Sequence, residues 1–104
     1  RIVMFRPDKN SKRIQKTQER MCIPIMSSEY FLNAVCSTVK DNLDYIPPFG
    51  KGSMYVRPVC FGTSKAISVQ PATEYMFIVF ASPVGPYFKT GSKPLHLFLS
   101  RDLT

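Results

Sequence analysis

Hydrophobic residues recur at helical spacing in the first half of the chain and alternate in the second half. From Ser11 to Met21 no glycine or proline interrupts the sequence, and Asn10 is a good N-cap, so a first helix is predicted there. A second helix is predicted from Ser27 or Ser28 to about Leu43, because its apolar residues repeat every three to four positions. In the first helix Ile14, Gln18 and Met21 fall on one face, with Thr17 beside them. In the second helix an apolar stripe is predicted to belong to the core, and it consists of Phe31, Leu32, Val35, Val39 and Leu43.

The second half of the chain is predicted to form strands. In the segment 54–61, Met54, Val56, Pro58 and Cys60 alternate with Tyr55, Arg57, Val59 and Phe61. The segment 75–81 is nearly all apolar, which predicts a strand covered on both faces. A first strand at 2–5, a short return segment at 66–69 and a last strand at 95–100 are also predicted. This order predicts an α+β fold, a largely antiparallel sheet with two helices packed on it.

Composition excludes several classes of protein. The chain has 104 residues, one domain's worth, and its 8 Phe and 5 Tyr are too many for intrinsic disorder. Its longest apolar run, seven residues from Tyr75 to Ala81, is too short to span a membrane. Cys22, Cys36 and Cys60 lack C-x-x-C spacing, which favours reduced, mostly buried thiols in an intracellular protein. The single histidine, His96, supports neither a metal site nor a catalytic triad.

Charge points to an anionic partner of some kind. There are 14 Lys and Arg against 7 Asp and Glu, and residues 1–20 hold seven of the basic residues and two of the acidic ones. Nucleic acid, an anionic surface and an anionic small molecule are all compatible with this excess. Arg57 shares a strand face with Tyr55 and could hold a carboxylate by two parallel N–H bonds, or simply point to water. Arg13, in the first turn of the predicted helix, could bind a phosphate, although an exposed helical arginine is commoner.

Four sequence blocks occur in an order that resembles one enzyme family. They are Phe5-Arg6-Pro7-Asp8-Lys9-Asn10-x-x-Arg13, Arg20-Met21-Cys22-Ile23-Pro24, Tyr55-Val56-Arg57-Pro58 and Ser82-Pro83-Val84-Gly85-Pro86-Tyr87-Phe88. Together they resemble the N-terminal small domain of branched-chain amino-acid aminotransferases, in the D-alanine-aminotransferase-like class (fold type IV) of pyridoxal-phosphate enzymes. The resemblance covers essentially the whole chain.

The resemblance implies a transaminase that depends on pyridoxal 5'-phosphate and is a homodimer. It implies transfer of the amino group of a branched-chain or other hydrophobic L-amino acid to the 2-oxo acid 2-oxoglutarate. By its motifs, Arg13 matches the residue that holds the cofactor phosphate, and Tyr55 the one that receives the substrate α-carboxylate, with Arg57 in the same polar group. Val69 matches a residue that reaches into the partner subunit's substrate pocket, and Tyr87 one that lines the pocket. No catalytic residue and no metal ligand is expected in this chain.

The chain also departs from the family pattern. Ser11 stands where the family commonly has Met, Lys16-Thr17-Gln18 where it often has Arg-Ser-Ala, and Ser68 where it has glycine. No lysine here matches the one that binds the cofactor covalently. Residues 1–104 are therefore expected to be a partial small domain, inactive alone, with the large C-terminal lysine-bearing domain outside the chain.

Two other hypotheses belong to different functional classes. The chain could be a small basic nucleic-acid-binding module, or a non-catalytic scaffold domain. Against the first, no aromatic RNA-binding submotif, Gly-x-x-Gly clamp or zinc spacing is present. The leading hypothesis therefore expects no nucleic-acid partner, no membrane and a cytoplasmic or mitochondrial location.

Overall fold

A computed structural model describes residues 2–85, 94 and 96–100 of the chain. Within them the chain forms two helices followed by two antiparallel strands, which confirms the predicted α+β class. The elements are α1 (Pro7–Arg20), α2 (Ser28–Asp41), a 3-10 turn (Leu43–Tyr45), β1 (Ser53–Gly62) and β2 (Tyr75–Val84).

Helix α1 begins at Pro7, four residues earlier than predicted. Proline suits the first helical position because its fixed φ matches the helix and its missing N–H would be unpaired there. Asp8 in the first turn adds a negative charge near the positive end of the helix dipole. The prediction that Asn10 caps this helix is therefore wrong, since Asn10 lies inside it.

Helix α1 ends in a Schellman motif. The sequence did not reveal it, because the left-handed position of the motif is not occupied by the usual glycine. Cys22 takes the left-handed conformation with φ 55°. Its N–H donates to Glu19 O at 3.2 Å, and Ile23 N–H donates to Gln18 O at 2.8 Å. Met21, which was predicted to share a helix face with Ile14 and Gln18, is 63% exposed because the chain turns away from the helix at this point.

The buried side of α1 is polar. Ser11 and Gln18 are 0% and 1% exposed. Ser11 Oγ donates to Ser28 Oγ at 2.8 Å, Gln15 Nε2 donates to Met26 O at 2.9 Å, and Gln18 Oε1 accepts from Met26 N at 3.3 Å. The connection between the helices folds back along α1, and its backbone groups need hydrogen-bonding partners there.

Helix α2 packs against both α1 and the sheet. Ser27 caps it, because its Oγ accepts a hydrogen bond from Tyr30 N at 3.1 Å. Of the predicted core stripe, Phe31 and Val35 are buried and Leu32 and Val39 are half-buried, whereas Leu43 lies in the turn after the helix and is 47% exposed. The Phe77 ring of β2 lies 6.2 Å from that of Tyr30 and 6.3 Å from that of Phe31, centroid to centroid. The helix ends at Asp41 rather than at the predicted residue two positions later.

The alternation predicted for β1 is confirmed, but the two-sided burial predicted for β2 is wrong. Cys60 of β1 lies opposite Phe77 of β2, on the face that α2 covers. On the other face, Met76, Ile78 and Phe80 are all more than a third exposed. In the part of the chain that the structure describes, a helix covers one face of the sheet only.

Hydrogen-bond register explains how proline occurs in both strands. Thr63 N donates to Glu74 O at 2.9 Å just beyond the strands, which fixes the alternation of inward and outward backbone groups along the ladder. By that alternation the nitrogens of Pro58 and Pro83 face the two outer edges of the sheet, where no ladder hydrogen bond is lost. β2 therefore continues to Val84, three residues beyond the predicted strand 75–81, and includes Pro83.

Three predicted β-type segments do not form strands. Residues 2–5 and 66–69 are irregular and mostly exposed, and so are residues 96–100 of the predicted last strand, whose first residue lies outside the described part. A strand needs a neighbour for its backbone groups, and within the described residues only β1 and β2 pair. Among all the residues that the structure describes, no helix is long and apolar enough to cross a membrane.

Candidate functional site

Tyr55 and Arg57 lie side by side on the face of β1 that α2 leaves open. Strand alternation places residues two apart on one face, so both side chains point the same way. The Arg57 Cζ lies 5.0 Å from the Tyr55 ring centroid, and Arg57 Nη2 donates a hydrogen bond to Tyr55 Oη. The structure thus brings together the two residues predicted to form one polar group.

An open pocket of about 1150 Å³ adjoins this pair. Gly52 forms part of its wall, where a Cβ would lie 2.5 Å from Val84 O, so only glycine fits without displacing the backbone. Lys51 also lines the pocket and was not predicted, because a single lysine between two glycines is indistinguishable from an ordinary turn. Among the described residues that line the pocket none is acidic, so it is suited to an anion.

Arg13 is exposed and lies in the second turn of α1. Because α1 begins at Pro7, Arg13 is not in the first turn, and the prediction of phosphate binding at a helix N-terminus loses that support. Arg13 Nη2 instead donates to Asn10 Oδ1 at 3.0 Å, three residues earlier on the same face of the helix. The orientation of the guanidinium is therefore set by a neighbouring residue of the same helix.

A cavity of about 330 Å³ lies between α1, α2 and β1, with Arg13 among its lining residues. Helix α1 supplies its polar residues, which are Asn10, Arg13, Thr17 and Gln18. The remaining walls are largely apolar and include Phe31, Pro58 and Cys60. Gln18 Nε2 is fully buried and has no hydrogen-bond partner among the described residues. In the sequence, Gln18 stood out only because it departs from the family pattern. That departure did not predict that Gln18 belongs to a site.

The predicted site residues are only partly brought together. The pocket at Arg57 and the cavity at Arg13 have no lining residue in common. Val69 lines neither of them and is fully exposed in the connection between β1 and β2, as is Ile67. Tyr87 lies outside the described residues.

Electrostatics leave both site arginines available for a ligand. Within the described residues the one ion pair joins Arg6 and Asp8, whose Nη2 and Oδ2 are 3.5 Å apart. The Arg6 hydrogen bond lowers the pKa of Asp8 below its ordinary value of 3.8. Neither Arg13 nor Arg57 has a carboxylate partner in the described part of the chain, so each can pair with an anion.

The described residues contain neither a cluster of metal ligands nor a disulfide. No three potential ligands among His, Cys, Asp and Glu of these residues come close enough to hold a metal ion. Cys36 and Cys60 are half-buried free thiols, whereas Cys22 is free and exposed, contrary to the prediction of mostly buried thiols.

Known proteins match the chain along nearly all of its length. Branched-chain-amino-acid aminotransferase 3, chloroplastic, of Arabidopsis thaliana is 46% identical over 101 residues, which are 97% of this chain and 24% of that protein. Branched-chain amino acid aminotransferase 2, chloroplastic, of Humulus lupulus is 44% identical over 102 residues, 98% of this chain and 25% of that protein. Over the segment that it spans, the chain belongs to the branched-chain aminotransferase family.

The similarity extends to bacteria. The branched-chain-amino-acid aminotransferase of Helicobacter pylori is 44% identical over 92 residues, 88% of this chain and 27% of that protein. The chain therefore spans about a quarter of the length of the curated relatives it matches. No protein-family model matches it.

Proposed function

We propose that the chain is part of a pyridoxal-phosphate-dependent transaminase that acts on a branched-chain or other hydrophobic L-amino acid, with 2-oxoglutarate as amino acceptor. The observation that carries the proposal is identity of 44–46% to proteins named branched-chain aminotransferases over 88–98% of the chain. Residues 1–104 are proposed to form part of the small domain, and the lysine that binds the cofactor to lie elsewhere in the protein.

The cavity at Arg13 fits a phosphate group. Arg13 brings a cation without a carboxylate partner in the described chain, and none of the described residues that line the cavity is acidic. A phosphate oxygen is the kind of acceptor that a guanidinium requires. We assign Arg13 to the cofactor phosphate on this ground and on the family resemblance. The cofactor, when bound, supplies withdrawal of electrons from the substrate α-carbon.

Tyr55 and Arg57 are proposed to bind and orient the substrate α-carboxylate. The hydrogen bond from Arg57 to the Tyr55 hydroxyl uses one guanidinium nitrogen and leaves the other N–H groups for a carboxylate. The contact of the guanidinium with the ring keeps the cation in place before the substrate arrives. A carboxylate fixed here holds the α-carbon at one position, which is the contribution of these residues to the reaction.

The remaining assignments concern the assembled protein. Val69 is proposed to reach into the substrate pocket of a partner subunit. Its apolar side chain is fully exposed on a loop, and burying that side chain under a second subunit lowers the free energy of the assembly. Tyr87 is proposed to line the same pocket, and the protein to be a homodimer. We propose an intracellular location, cytoplasmic or mitochondrial, or plastid as the names of both plant relatives indicate.

The proposal is tested on the complete protein that contains this chain, purified with the vitamin supplied. We expect a bound chromophore and formation of glutamate from 2-oxoglutarate with leucine, isoleucine or valine as donor. Aspartate serves as the control donor, because a charged side chain is disfavoured in an apolar pocket. A colourless protein that forms no glutamate from any of these donors would contradict the proposal.

A further inference from the structure

The guanidinium of Arg13 is held at its cavity by a side chain that carries no charge. Arg13 Nη2 donates to Asn10 Oδ1 at 3.0 Å, and both residues line the cavity between α1, α2 and β1. The two side chains meet because residues three apart lie on the same face of a helix. Both residues are exposed, so a small anion can reach them. One guanidinium nitrogen is thus engaged by Asn10, and the guanidinium has other N–H groups that can bind a ligand.

The kind of partner decides whether an arginine can still bind an anion. Arg6 lies 3.5 Å from a carboxylate oxygen of Asp8, which neutralises its charge. Asn10 accepts through an amide oxygen instead, so it fixes the guanidinium of Arg13 and leaves the positive charge available. None of the four positions three or four residues from Arg13 along the helix is acidic, and they are Lys9, Asn10, Lys16 and Thr17.

Fixing the guanidinium before an anion arrives favours binding. A planar guanidinium binds an oxyanion by two parallel N–H bonds only when its plane is aimed at that oxyanion. An arginine that moves freely in water loses side-chain freedom when it adopts this geometry, and the loss weakens binding. The hydrogen bond to Asn10 restricts Arg13 in advance and reduces the loss.

We propose that Asn10 is a positioning residue for Arg13, and that its amide oxygen orients the guanidinium toward a phosphate group without competing for the positive charge. The inference rests on the proposed function for the assignment of Arg13 to the cofactor phosphate. It adds that phosphate affinity depends on an uncharged acceptor at position 10.

The test measures affinity for inorganic phosphate by calorimetry on the complete protein freed of cofactor. Asn10→Ala removes the acceptor and should weaken binding about three- to tenfold, because the guanidinium is no longer held. Asn10→Asp keeps an acceptor but adds a negative charge that opposes the phosphate, so binding should weaken at least as much. Asn33→Ala makes the same change at an exposed position of α2 and should leave affinity unchanged.

Arg13→Lys separates positioning from a general effect on the helix. Lysine keeps the charge, but its ammonium has rotatable donors and needs no fixed plane. Asn10→Ala added to Arg13→Lys should therefore weaken phosphate binding less than about twofold further. A role of Asn10 in helix stability alone would act equally with and without Arg13→Lys.

The outcomes separate this inference from the proposed function. Unchanged phosphate affinity in Asn10→Ala, with binding abolished in Arg13→Ala, would overturn the inference and leave the role of Arg13 intact. An equal fall on Asn10→Ala with and without Arg13→Lys would also overturn it. Failure of the unaltered protein to bind phosphate would reject both the inference and the assignment of Arg13. Phosphate binding that depends on Asn10 through Arg13, in a protein that transfers no amino groups, would uphold the inference and reject the transaminase.

Discussion

Arg57 and Tyr55 form one unit on the open face of the sheet, with the guanidinium 5.0 Å from the ring centroid and hydrogen-bonded to the phenolic oxygen. Their two-residue spacing in a strand produces this contact without help from any other element. A cation held in this way loses less side-chain freedom when it binds an anion than one that moves freely in water. The unit is therefore suited to holding a carboxylate in one orientation.

Arg57→Ala in the complete protein should raise the KM for the amino-acid donor about tenfold or more, because a charge-assisted hydrogen bond is lost. Retention of the cofactor chromophore on dialysis should change little. Arg13→Ala should show the opposite pattern, with the chromophore lost and KM changed much less at saturating cofactor. Lys40→Ala, an exposed cation on α2, is the control and should alter neither measurement. If Arg57→Ala and Arg13→Ala behave alike in both assays, the division of roles is wrong.

The hydrogen bond between Ser11 and Ser28 should couple the two helices energetically. Ser11→Ala and Ser28→Ala should each lower the free energy of unfolding by about 1 kcal/mol, because the bond of 2.8 Å is buried at its Ser11 end. The double variant should lose less than the sum, leaving a coupling energy of about 0.5–1.5 kcal/mol in a denaturation cycle. Ser37→Ala, exposed on α2, is the control. Strict additivity would mean that the two hydroxyls do not interact.

Ser27 should contribute to stability as the cap of α2. Ser27→Ala should cost about 1 kcal/mol, because the hydrogen bond that Tyr30 N donates to its Oγ is lost. Ser27→Asp should retain most of the stability, since a carboxylate accepts the same bond and favours the helix dipole. Chemical denaturation followed by circular dichroism measures both variants. Equal losses in the two would argue against capping.

Cys22→Gly should stabilise the protein. Cys22 has φ 55°, where a side chain costs about 1–2 kcal/mol relative to the right-handed helix, and glycine avoids that cost. The greater freedom of glycine in the unfolded chain offsets about 0.5–1 kcal/mol of the gain. We expect a small net increase in the unfolding midpoint. Cys22→Ala, which keeps a Cβ, separates the backbone effect from the loss of the thiol and should not show the increase.

The Arg6–Asp8 pair should make stability depend on pH in the acid range. The pKa of Asp8 is lowered in the folded chain, chiefly by the hydrogen bond from Arg6, so the carboxylate form is favoured there. Its contribution is present above the ordinary pKa of 3.8 and is lost as pH falls through the lower folded value. Asp8→Asn should thus be less stable than the unaltered protein at neutral pH and equal to it well below pH 3.8. A difference that stays constant with pH would exclude this ionisation as the cause.

The sequence predicted the helices and strands whose periodicity is local. The apolar repeat of α2, with Phe31 and Val35, and the alternation of β1 were both read correctly. The start of α1 was missed because Asn10 looked like a cap, whereas Pro7 begins the helix after Arg6 has turned the chain with φ 48°. A cap motif shows where a helix could begin, but competition between neighbouring starts is settled by packing.

The candidate site was predictable in part for the same reason. Tyr55 and Arg57 meet because both lie on one strand face, a relationship contained in their spacing. The burial of Gln18 was not predicted, because it depends on the fold of the α1–α2 connection, which places the backbone of Met26 against it. No local pattern encodes a contact of that kind.

By itself, the order of amino acids determined the class of fold, the family and the residues that meet through short-range spacing, since these depend on periodicity and on motifs. Only the tertiary structure decided which face of β2 is covered, and that the inner side of α1 is a polar seam. It also decided that the anion-suited pocket at Arg57 and the cavity at Arg13 are separate. These features depend on which distant segments lie against each other. Which residues are buried, and which polar groups lack a hydrogen-bond partner, can be known only from that packing.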